Sequence, residues 1–320
     1  MFDFNFILTK STTPIIGPIS NLFGLILDAI YNGLFTLFRI ENLGLTIIVF
    51  TIITRLLLLP LAIKQQKTMM VTQKMQPELK KIQDKYRNKK DAESQKKMQQ
   101  ELTEVYQKYN ASPLAGCLTT LLQIPIIFAL FDVMRNIPAH INSIKVIYTN
   151  VVSQITNVEG YQTILESLSI ERNINIRGFD IDSIITFLSN LNDWELITST
   201  FAGINMQIQG FVDQISQINQ FLGVNLADAP GLAFPGILIP ILAVASQFFA
   251  SRTMQMTSNN KDNPAAQSQK TMMYILPFIS GFFVIAMPAG LGLYWITSSV
   301  VQGIQQVFIN KVIIKEKEVG

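Results

Sequence analysis

The chain has 320 residues, of which 49% are hydrophobic and only 15% are charged, and its mean hydropathy is +0.32. Soluble domains usually carry about 25% charged residues, so this composition indicates an integral membrane protein. One cysteine and one histidine exclude an intrachain disulfide and a metal site built from thiolates or imidazoles. A net charge of +3 is too weak to suggest a nucleic-acid partner unless the charge is segregated along the chain.

The first predicted element lies in an N-terminal segment, residues 1–42. Residues 15–38 are nearly long enough to cross a bilayer, but Asp28 and Asn32 are four residues apart on one helical face. We therefore predict an amphipathic helix over 20–38 that lies in the outer membrane interface. A sixth span at this position is the alternative.

Five further segments are apolar over the roughly 20 helical residues that a bilayer requires. They are 43–63, 114–134, 232–251, 272–289 and 290–310. The last two are separated by the Met-Pro-Ala-Gly sequence at 287–290, a turn signal that predicts a tight hairpin of two spans. The predicted fold class is an all-α integral membrane protein with a core bundle of five transmembrane helices, a cytoplasmic helical hairpin and an enlarged extracellular helical loop.

The charged residues predict the orientation of these spans. Residues 64–110 carry twelve Lys and Arg against six Asp and Glu, whereas 136–231 carry three against nine. The loop 252–271 has three basic residues and one acid, and the tail 311–320 has three and two. Because basic loops stay in the cytoplasm, the N-terminus should be outside and the C-terminus inside. The predicted domains are the segment 1–42, two spans with their hairpin 64–110 (43–135), the outer loop 136–231, three spans (232–310) and the tail 311–320.

The cytoplasmic loop repeats one pattern of apolar residues. Two sets of apolar residues each follow steps of 4, 3 and 4 residues. The first set is Met75, Leu79, Ile82 and Tyr86, and the second is Met98, Leu102, Val105 and Tyr109. Each set predicts a narrow apolar stripe on a polar helix, and the break at 87–91 predicts a turn, so the loop should form an antiparallel helical hairpin. Its basic residues are candidates for docking anionic lipid, ribosomal RNA or an acidic loop of a partner: Lys80, Lys81, Lys85, Arg87, Lys89 and Lys90. A solvated face is the alternative.

The clearest element of the outer loop is residues 201–222. Seven apolar residues alternate there in steps of three and four, from Phe201 to Leu222, which is a heptad pattern. Such a helix needs a partner. Either it packs on the apolar stripe of 184–191 as a small cap, or it lies on the outer leaflet.

Arg55 is the one ionisable residue placed deep within a predicted span. It lies twelve residues after Leu43 and eight before Ile63, which is about 18 Å and about 12 Å from the two ends of an ideal helix. A charge at such a depth costs at least about 2.5 kcal/mol and usually marks a functional site. The alternative is that its long side chain reaches the cytoplasmic headgroups.

Polar residues at helical spacing in the other spans could share a water-filled cavity with Arg55. They are Thr51, Thr119, Thr120, Gln123, Gln247, Ser298 and Gln302, with Ser246 and either Gln305 or Gln306 beside them. Hydrogen bonds between helices are the alternative role for such residues. The depth of Arg55 predicts a cavity within the bilayer, nearer to the cytoplasm.

At these residues the chain resembles a known family. The runs LGLTIIVFTIITRLLLLPLAIKQQK (43–67), QKMQPELKKIQDKY (73–86), ELTEVYQKYNASPLAGCLTTLLQIPI (101–126) and PAGLGLYWITSSVVQGIQQ (288–306) resemble the YidC, Oxa and Alb membrane protein insertases, and the chain is most similar to their shorter Gram-positive type. The resemblance implies that Arg55 is the arginine of a substrate groove and that Trp295 belongs to the last helix of that groove.

The resemblance also implies a function and a location. The expected protein is a multi-pass insertase of a bacterial cell membrane that acts as a monomer without a cofactor and is not an enzyme. Its expected partners are nascent membrane proteins and membrane lipid, with the Sec translocon and the ribosome as further candidates. The outer loop 136–231 is longer than the resemblance leads us to expect, and the tail 311–320 is shorter.

Other classes of function explain the sequence less well. A transporter or channel usually has repeated halves with paired ionisable groups at the midplane, which a single arginine does not match. An intramembrane protease requires a catalytic acid pair, a Ser/His pair or a zinc motif within its spans, and the predicted spans contain none of these. A non-inserting assembly factor for membrane complexes is the main alternative, because it differs only in whether the groove binds the substrate.

Overall fold

The computed structural model describes residues 14, 16–89, 91–111, 115–255 and 264–319, and most of them are helical. The helices, in chain order, are α1 (Ile16–Phe38), α2 (Leu43–Leu57), α3 (Leu59–Tyr86), α4 (Ala92–Lys108), α5 (Ala115–Arg135), α6 (Ile137–His140), α7 (Asn142–Ile155), α8 (Tyr161–Arg172), α9 (Ile181–Leu191), α10 (Trp194–Thr200), α11 (Asn205–Asn219), α12 (Leu238–Gln255), α13 (Pro264–Ala286) and α14 (Ala289–Val319). A 3-10 turn (Ala202–Ile204) precedes α11, and strands β1 (Gln220–Phe221) and β2 (Val224–Asn225) form an antiparallel hairpin after it.

The chain divides into two compact units. The first comprises Met1–Thr51, Pro125–Leu242 and Phe282–Trp295, and the second comprises Ile52–Ile124, Ala243–Gly281 and Ile296–Gly320.

Helix α7 is the centre of the first unit. It contacts α1, α6, α9 and α11, and its buried residues cover more than one face: Ile144, Ile147, Tyr148, Val151, Val152 and Ile155. The ring of Tyr148 packs edge-on against Trp194 of α10, with ring centroids 5.5 Å apart. Helices α6, α7, α9, α10 and α11 therefore share one apolar core.

The region 201–222 differs from the single helix that its heptad pattern predicts. Phe201 is buried at the turn before α11, and the helix ends at Asn219, because the chain then enters the β-hairpin. Leu222, the last residue of the pattern, lies at the tip of that hairpin and is exposed. The apolar face of α11 packs on α7, which in turn contacts α9, so α7 is the partner that the heptad pattern did not identify.

Helix α1 packs on α6 and α7 through both its apolar and its polar residues. Phe23, Leu27 and Tyr31 are buried at steps of four. Asp28 Oδ1 accepts a hydrogen bond of 2.9 Å from the backbone N–H of Asn142, the first residue of α7, where helical N–H groups have no partner within their own helix. The polar face that suggested an interfacial helix thus also binds the N-terminus of α7.

The β-hairpin lies between the first residues of α2 and α14. Asn42 donates a hydrogen bond of 2.9 Å to the carbonyl of Gln220, and the ring of Phe221 lies against Gly44. After the hairpin, the carbonyls of Leu226 and Asp228 accept hydrogen bonds of 2.9 and 2.7 Å from the backbone N–H groups of Gly290 and Ala289, respectively. These backbone bonds serve the first turn of α14, which would otherwise leave its N–H groups unsatisfied.

In the second unit, α3 and α4 pack against each other as an antiparallel pair. Their core contains Met75, Leu79 and Val105, and partly buried Val71, Ile82, Leu102, Tyr106, Tyr109 and Ala111 surround it. Tyr86 and Met98, which belong to the predicted stripes, are not in this cluster. Asp91 caps the N-terminus of α4, because its carboxylate accepts a hydrogen bond of 2.8 Å from the backbone N–H of Ser94.

The helix bounds differ from the predicted spans in several places. Helix α12 begins at Leu238 and not at 232, and α13 begins at Pro264 and not at 272. The segment 43–63 is interrupted at Leu58, two residues before Pro60, which lacks an N–H group for the helical ladder. Helix α14 continues through the predicted tail as far as Val319. Among the described helices, α1 alone is long and apolar enough to cross a membrane by itself, and α2 and α3 meet the same criteria only if they are taken together as one bent span.

Candidate functional site

Arg55 is held by a hydroxyl group of α14. Its Nε donates a hydrogen bond of 2.9 Å to Ser298 Oγ, and its Nη2 donates to the same oxygen. Ser298 is buried and Arg55 is half-buried. Among the residues that the structure describes, no Asp or Glu forms an ion pair with Arg55. Its partner Ser298 is uncharged, so this contact orients the positive charge without neutralising it.

A second residue of α14 binds the backbone at Arg55. The side-chain amide of Gln305 donates a hydrogen bond of 2.9 Å to the carbonyl oxygen of Arg55. Ser298 and Gln305 are seven residues apart, or about two helical turns, so both project from one face of α14. This carbonyl belongs to the last turn of α2, just before the interruption at Leu58, where the helical ladder cannot continue regularly. Helix α14 therefore fixes Arg55 by its side chain and by its backbone.

A neighbouring face of α14 binds α12. Ser299 donates a hydrogen bond of 2.9 Å to Gln247 Oε1. Further along, Asn310 donates to the carbonyl of Thr253 at 3.3 Å and accepts from Gln306 at 2.8 Å. The Ser299–Gln247 contact is an interhelical hydrogen bond, which is the alternative role considered above for polar residues within spans.

The remaining predicted groove residues have different environments. Gln302 lies one turn after Ser298 on α14 and is half-buried. Thr51 is buried and its hydroxyl donates to the carbonyl of Ile47 in its own helix, at 2.6 Å. Thr51 and Trp295 belong to the first unit, whereas Arg55, Ser298 and Gln302 belong to the second. The predicted groove residues whose side chains lie outside the described part of the chain are Thr119, Thr120 and Gln123.

The predicted docking residues of the hairpin have different environments. Lys81 and Arg87 are exposed near the end of α3. Lys85 forms an ion pair of 2.5 Å with Glu101 of α4, and Lys89 lies over the ring of Tyr86 at 5.4 Å from its centroid. Lys80 is half-buried and Lys90 lies outside the described residues. Lys85 therefore also holds the two helices together.

Two similar polar clusters join α3 to α4, and the pattern of apolar residues did not reveal them. Glu101 accepts hydrogen bonds from Lys85 and Tyr86, at 2.5 and 2.9 Å. Glu78 accepts from Lys108 at 2.8 Å and from Tyr109 at 2.8 Å. The lysine and tyrosine hydrogen bonds lower the pKa of both carboxyl groups, and the pKa values of the two lysines are raised mainly by the same bonds. The two Lys-Tyr pairs in the sequence were the available signal.

Comparison with known proteins identifies the family. The model of the family described as 60Kd inner membrane protein matches residues 34–317. The chain belongs to this family. Arg55, Ser298 and Gln305 all lie within the matched range.

Similar proteins from several organisms cover most of the chain. The membrane protein insertase YidC of Fusobacterium nucleatum is 29% identical over 274 residues, which are 85% of this chain and 88% of that protein. The membrane protein insertase YidC of Clostridium perfringens is 27% identical over 314 residues, or 95% and 96% of the two chains. The chloroplastic ALBINO3-like protein 1 of Arabidopsis thaliana is 27% identical over 297 residues, covering 92% of this chain and 48% of its own.

These matches confirm the resemblance stated from the sequence motifs. The family is one of membrane protein insertases, and the matched relatives include YidC proteins of the shorter type that nearly equal this chain in length. Insertases of this family move proteins into membranes and do not catalyse a chemical reaction, so the chain is not an enzyme.

Proposed function

We propose that this insertase receives the polar tail of a nascent membrane protein in a hydrated groove around Arg55, open to the cytoplasm and to lipid. The tail then crosses only the remaining part of the bilayer while the apolar segment of the substrate partitions into lipid. Splitting the crossing in this way divides the cost of removing polar groups from water into two smaller steps. For acidic tails the membrane potential contributes about 2.3 kcal/mol per charge per 100 mV.

The observation that supports this proposal is that, within the described part of the chain, the side-chain partner of Arg55 is an uncharged hydroxyl. A purely structural arginine within a membrane protein would be expected to pair with a carboxylate, because an isolated charge in a low-dielectric region is unfavourable. Arg55 instead donates to the hydroxyl of Ser298, which leaves its charge available to an anionic substrate. Two of its five N–H donors serve Ser298, and we propose that the substrate or water binds the others.

The charge distribution and the helix order support a five-span topology with the N-terminus outside and the C-terminus in the cytoplasm. In this topology the spans are α2 with the start of α3, then α5, α12, α13 and α14, and α1 lies in the outer interface. The exposed basic residues of the hairpin, Lys81 and Arg87, would then face the cytoplasm, where a ribosome or the Sec translocon could bind. We propose that one copy of the chain performs insertion.

The deciding experiment measures insertion into proteoliposomes that contain this protein alone. The substrates are two single-span proteins that differ only in their tails, one with Asp and Glu and one with Asn and Gln. Arg55→Glu should strongly reduce insertion of the acidic substrate and affect the neutral one much less, because the reversed charge repels only the former. Arg55→Lys should have a milder effect, because it keeps the charge but loses the forked geometry of the guanidinium.

Arg39→Glu serves as the matched control. It makes the same change of net charge at an exposed arginine of the first unit and should leave insertion unchanged. Equal insertion of the acidic substrate by Arg55→Glu and the unchanged protein would contradict the charged groove. Such a result would show that insertion does not depend on the charge of Arg55. Failure of both proteins to insert the substrate above the level of protein-free liposomes would instead favour an assembly factor that does not insert its substrates.

A further inference from the structure

An exposed leucine with an unfavourable backbone conformation lies at the tip of the β-hairpin. Leu222 and Gly223 form its two-residue turn, with φ angles of +50° and +81°. Turns of this kind favour Asn, Asp or Gly, because a side chain with a β-carbon rarely adopts a positive φ. Leu222 is nevertheless 84% exposed, so packing within the protein does not explain why a leucine occupies this position. An observed backbone outlier with an exposed apolar side chain suggests a binding role.

Leu222 has apolar neighbours on the segment that precedes α12. A β-carbon on Gly223 would lie 3.2 Å from Pro235 Cγ, which places the hairpin tip beside this segment. Leu232 and Phe234 are 70% and 80% exposed there. No charged residue occurs between positions 229 and 242. The tip and the segment 232–235 together form an exposed apolar patch, called the tip patch below.

The contacts of the β-hairpin place it beside the first residues of two helices, α2 and α14. Its base binds Asn42 and packs on Gly44 at the start of α2, and the chain after it binds the first N–H groups of α14. Both helices begin at the outer membrane surface in the topology proposed above, so the tip patch lies at that surface. At its other end the patch continues into the exposed apolar residues Leu238 and Ile241 of α12.

We propose that the tip patch inserts into the outer leaflet of the bilayer and anchors the folded outer loop to lipid. This assignment rests on the proposed function, because it requires α2, α12 and α14 to begin at the outer membrane surface. A leaflet is the occupant that fits best, because the patch is uncharged and is continuous with the apolar surface of α12. Exposed apolar side chains at the boundary between headgroups and acyl chains bind lipid in proportion to the apolar area that they bury.

The test measures the depth of spin labels in the full-length protein in vesicles of phosphatidylcholine and phosphatidylglycerol. Cys117 is the one cysteine of the chain, so Cys117→Ala provides a background for single labels. Labels are attached to Leu222→Cys and Phe234→Cys at the tip patch, to Ile241→Cys on α12, and to Met206→Cys at the other end of α11. Collision with oxygen, which concentrates in lipid, is compared with collision with a water-soluble nickel chelate. Circular dichroism checks that each labelled variant is folded.

The expected result is a ratio of oxygen to nickel collisions that is several-fold higher at 222 and 234 than at 206, where the wild-type side chain is 94% exposed. Labels at 222 and 234 that behave like the one at 206, while 241 is in lipid, would overturn the tip patch and leave the topology intact. A water-exposed label at 241 would overturn the topology and the tip patch with it. Protection of 222 and 234 from both reagents would indicate a protein partner, which also overturns the lipid assignment.

Discussion

Gly44 provides a sensitive test of how the β-hairpin contacts α2. A β-carbon at this position would lie 2.3 Å from Phe221 Cδ2 and 2.9 Å from Phe221 Cβ. Carbon atoms in favourable contact are about 3.5–4.0 Å apart. Because Cβ is attached directly to the backbone, a rotation of the ring does not relieve the overlap and the hairpin itself has to move.

The Gly44→Ala substitution should therefore have opposite effects in two backgrounds. Overpacking of this kind costs about 1–3 kcal/mol, whereas replacing a helical glycine by alanine stabilises by about 0.5–1 kcal/mol. With Phe221 present, Gly44→Ala should destabilise the hairpin, by up to about 2 kcal/mol. In a Phe221→Ala background the overlap is gone, and the same substitution should be neutral or stabilising.

Hydrogen exchange of the amides of 220–225 in the full-length protein measures the local free energy of opening for the four variants of this cycle. Gly210→Ala on α11 is the control, because a β-carbon there meets no atom within 4 Å. The coupling energy between positions 44 and 221 should be about 1–3 kcal/mol. If Gly44→Ala destabilises the hairpin equally with and without the aromatic ring, the steric argument is wrong.

Three further predictions concern the α3–α4 hairpin and the arginine site. Met75 is fully buried, so Met75→Ala should lower the stability of the hairpin by about 2–5 kcal/mol, measured by hydrogen exchange. Lys81→Ala at an exposed position is the control and should have a much smaller effect. Because the pKa of Glu78 is lowered from 4.5, its carboxylate should stabilise the hairpin fully above pH 4.5, and this stabilisation should be lost as the pH falls through the lowered pKa. Proteolysis of the hairpin should show this pH dependence, and Glu78→Gln should remove it. Ser298→Ala should impair insertion of acidic-tailed substrates, because it removes a hydrogen bond to a charged group, which contributes about 1.5–3 kcal/mol. Ser298→Thr keeps the hydroxyl and should insert these substrates normally; equal defects in the two variants would argue against positioning of Arg55 by this hydroxyl.

The sequence predicts individual elements of this protein better than the contacts between them. The depth of Arg55 and the polar character of Ser298 are visible in the sequence, because each depends only on its own helix. Their pairing joins residues 243 positions apart and depends on how the two helices pack. The interruption at Leu58 had a local signal in Pro60, but the hydrophobic run around it masked that signal.

The outer loop shows a different limit. The heptad pattern of 201–222 indicates an amphipathic helix, but α7 is the helix on which it packs, and the pattern assigned no role to the apolar residues of α7. Leu222 fits the pattern by spacing alone, although the chain has already turned into a hairpin there. A periodic pattern identifies which residues share a helical face, whereas the end of the helix and its partner depend on the tertiary structure.

The hydrogen bonds at the start of α14 have a consequence for the synthesis of this protein. Ala289 and Gly290 donate to carbonyls of Asp228 and Leu226, which are made well before α14 leaves the ribosome. Both acceptors are backbone atoms, so they are present whatever side chains the loop carries. In the proposed topology the outer loop has to be translocated and folded before the last helix finds these acceptors. The first turn of α14 is therefore completed by backbone groups of the outer loop, which the ribosome has made earlier in the same chain.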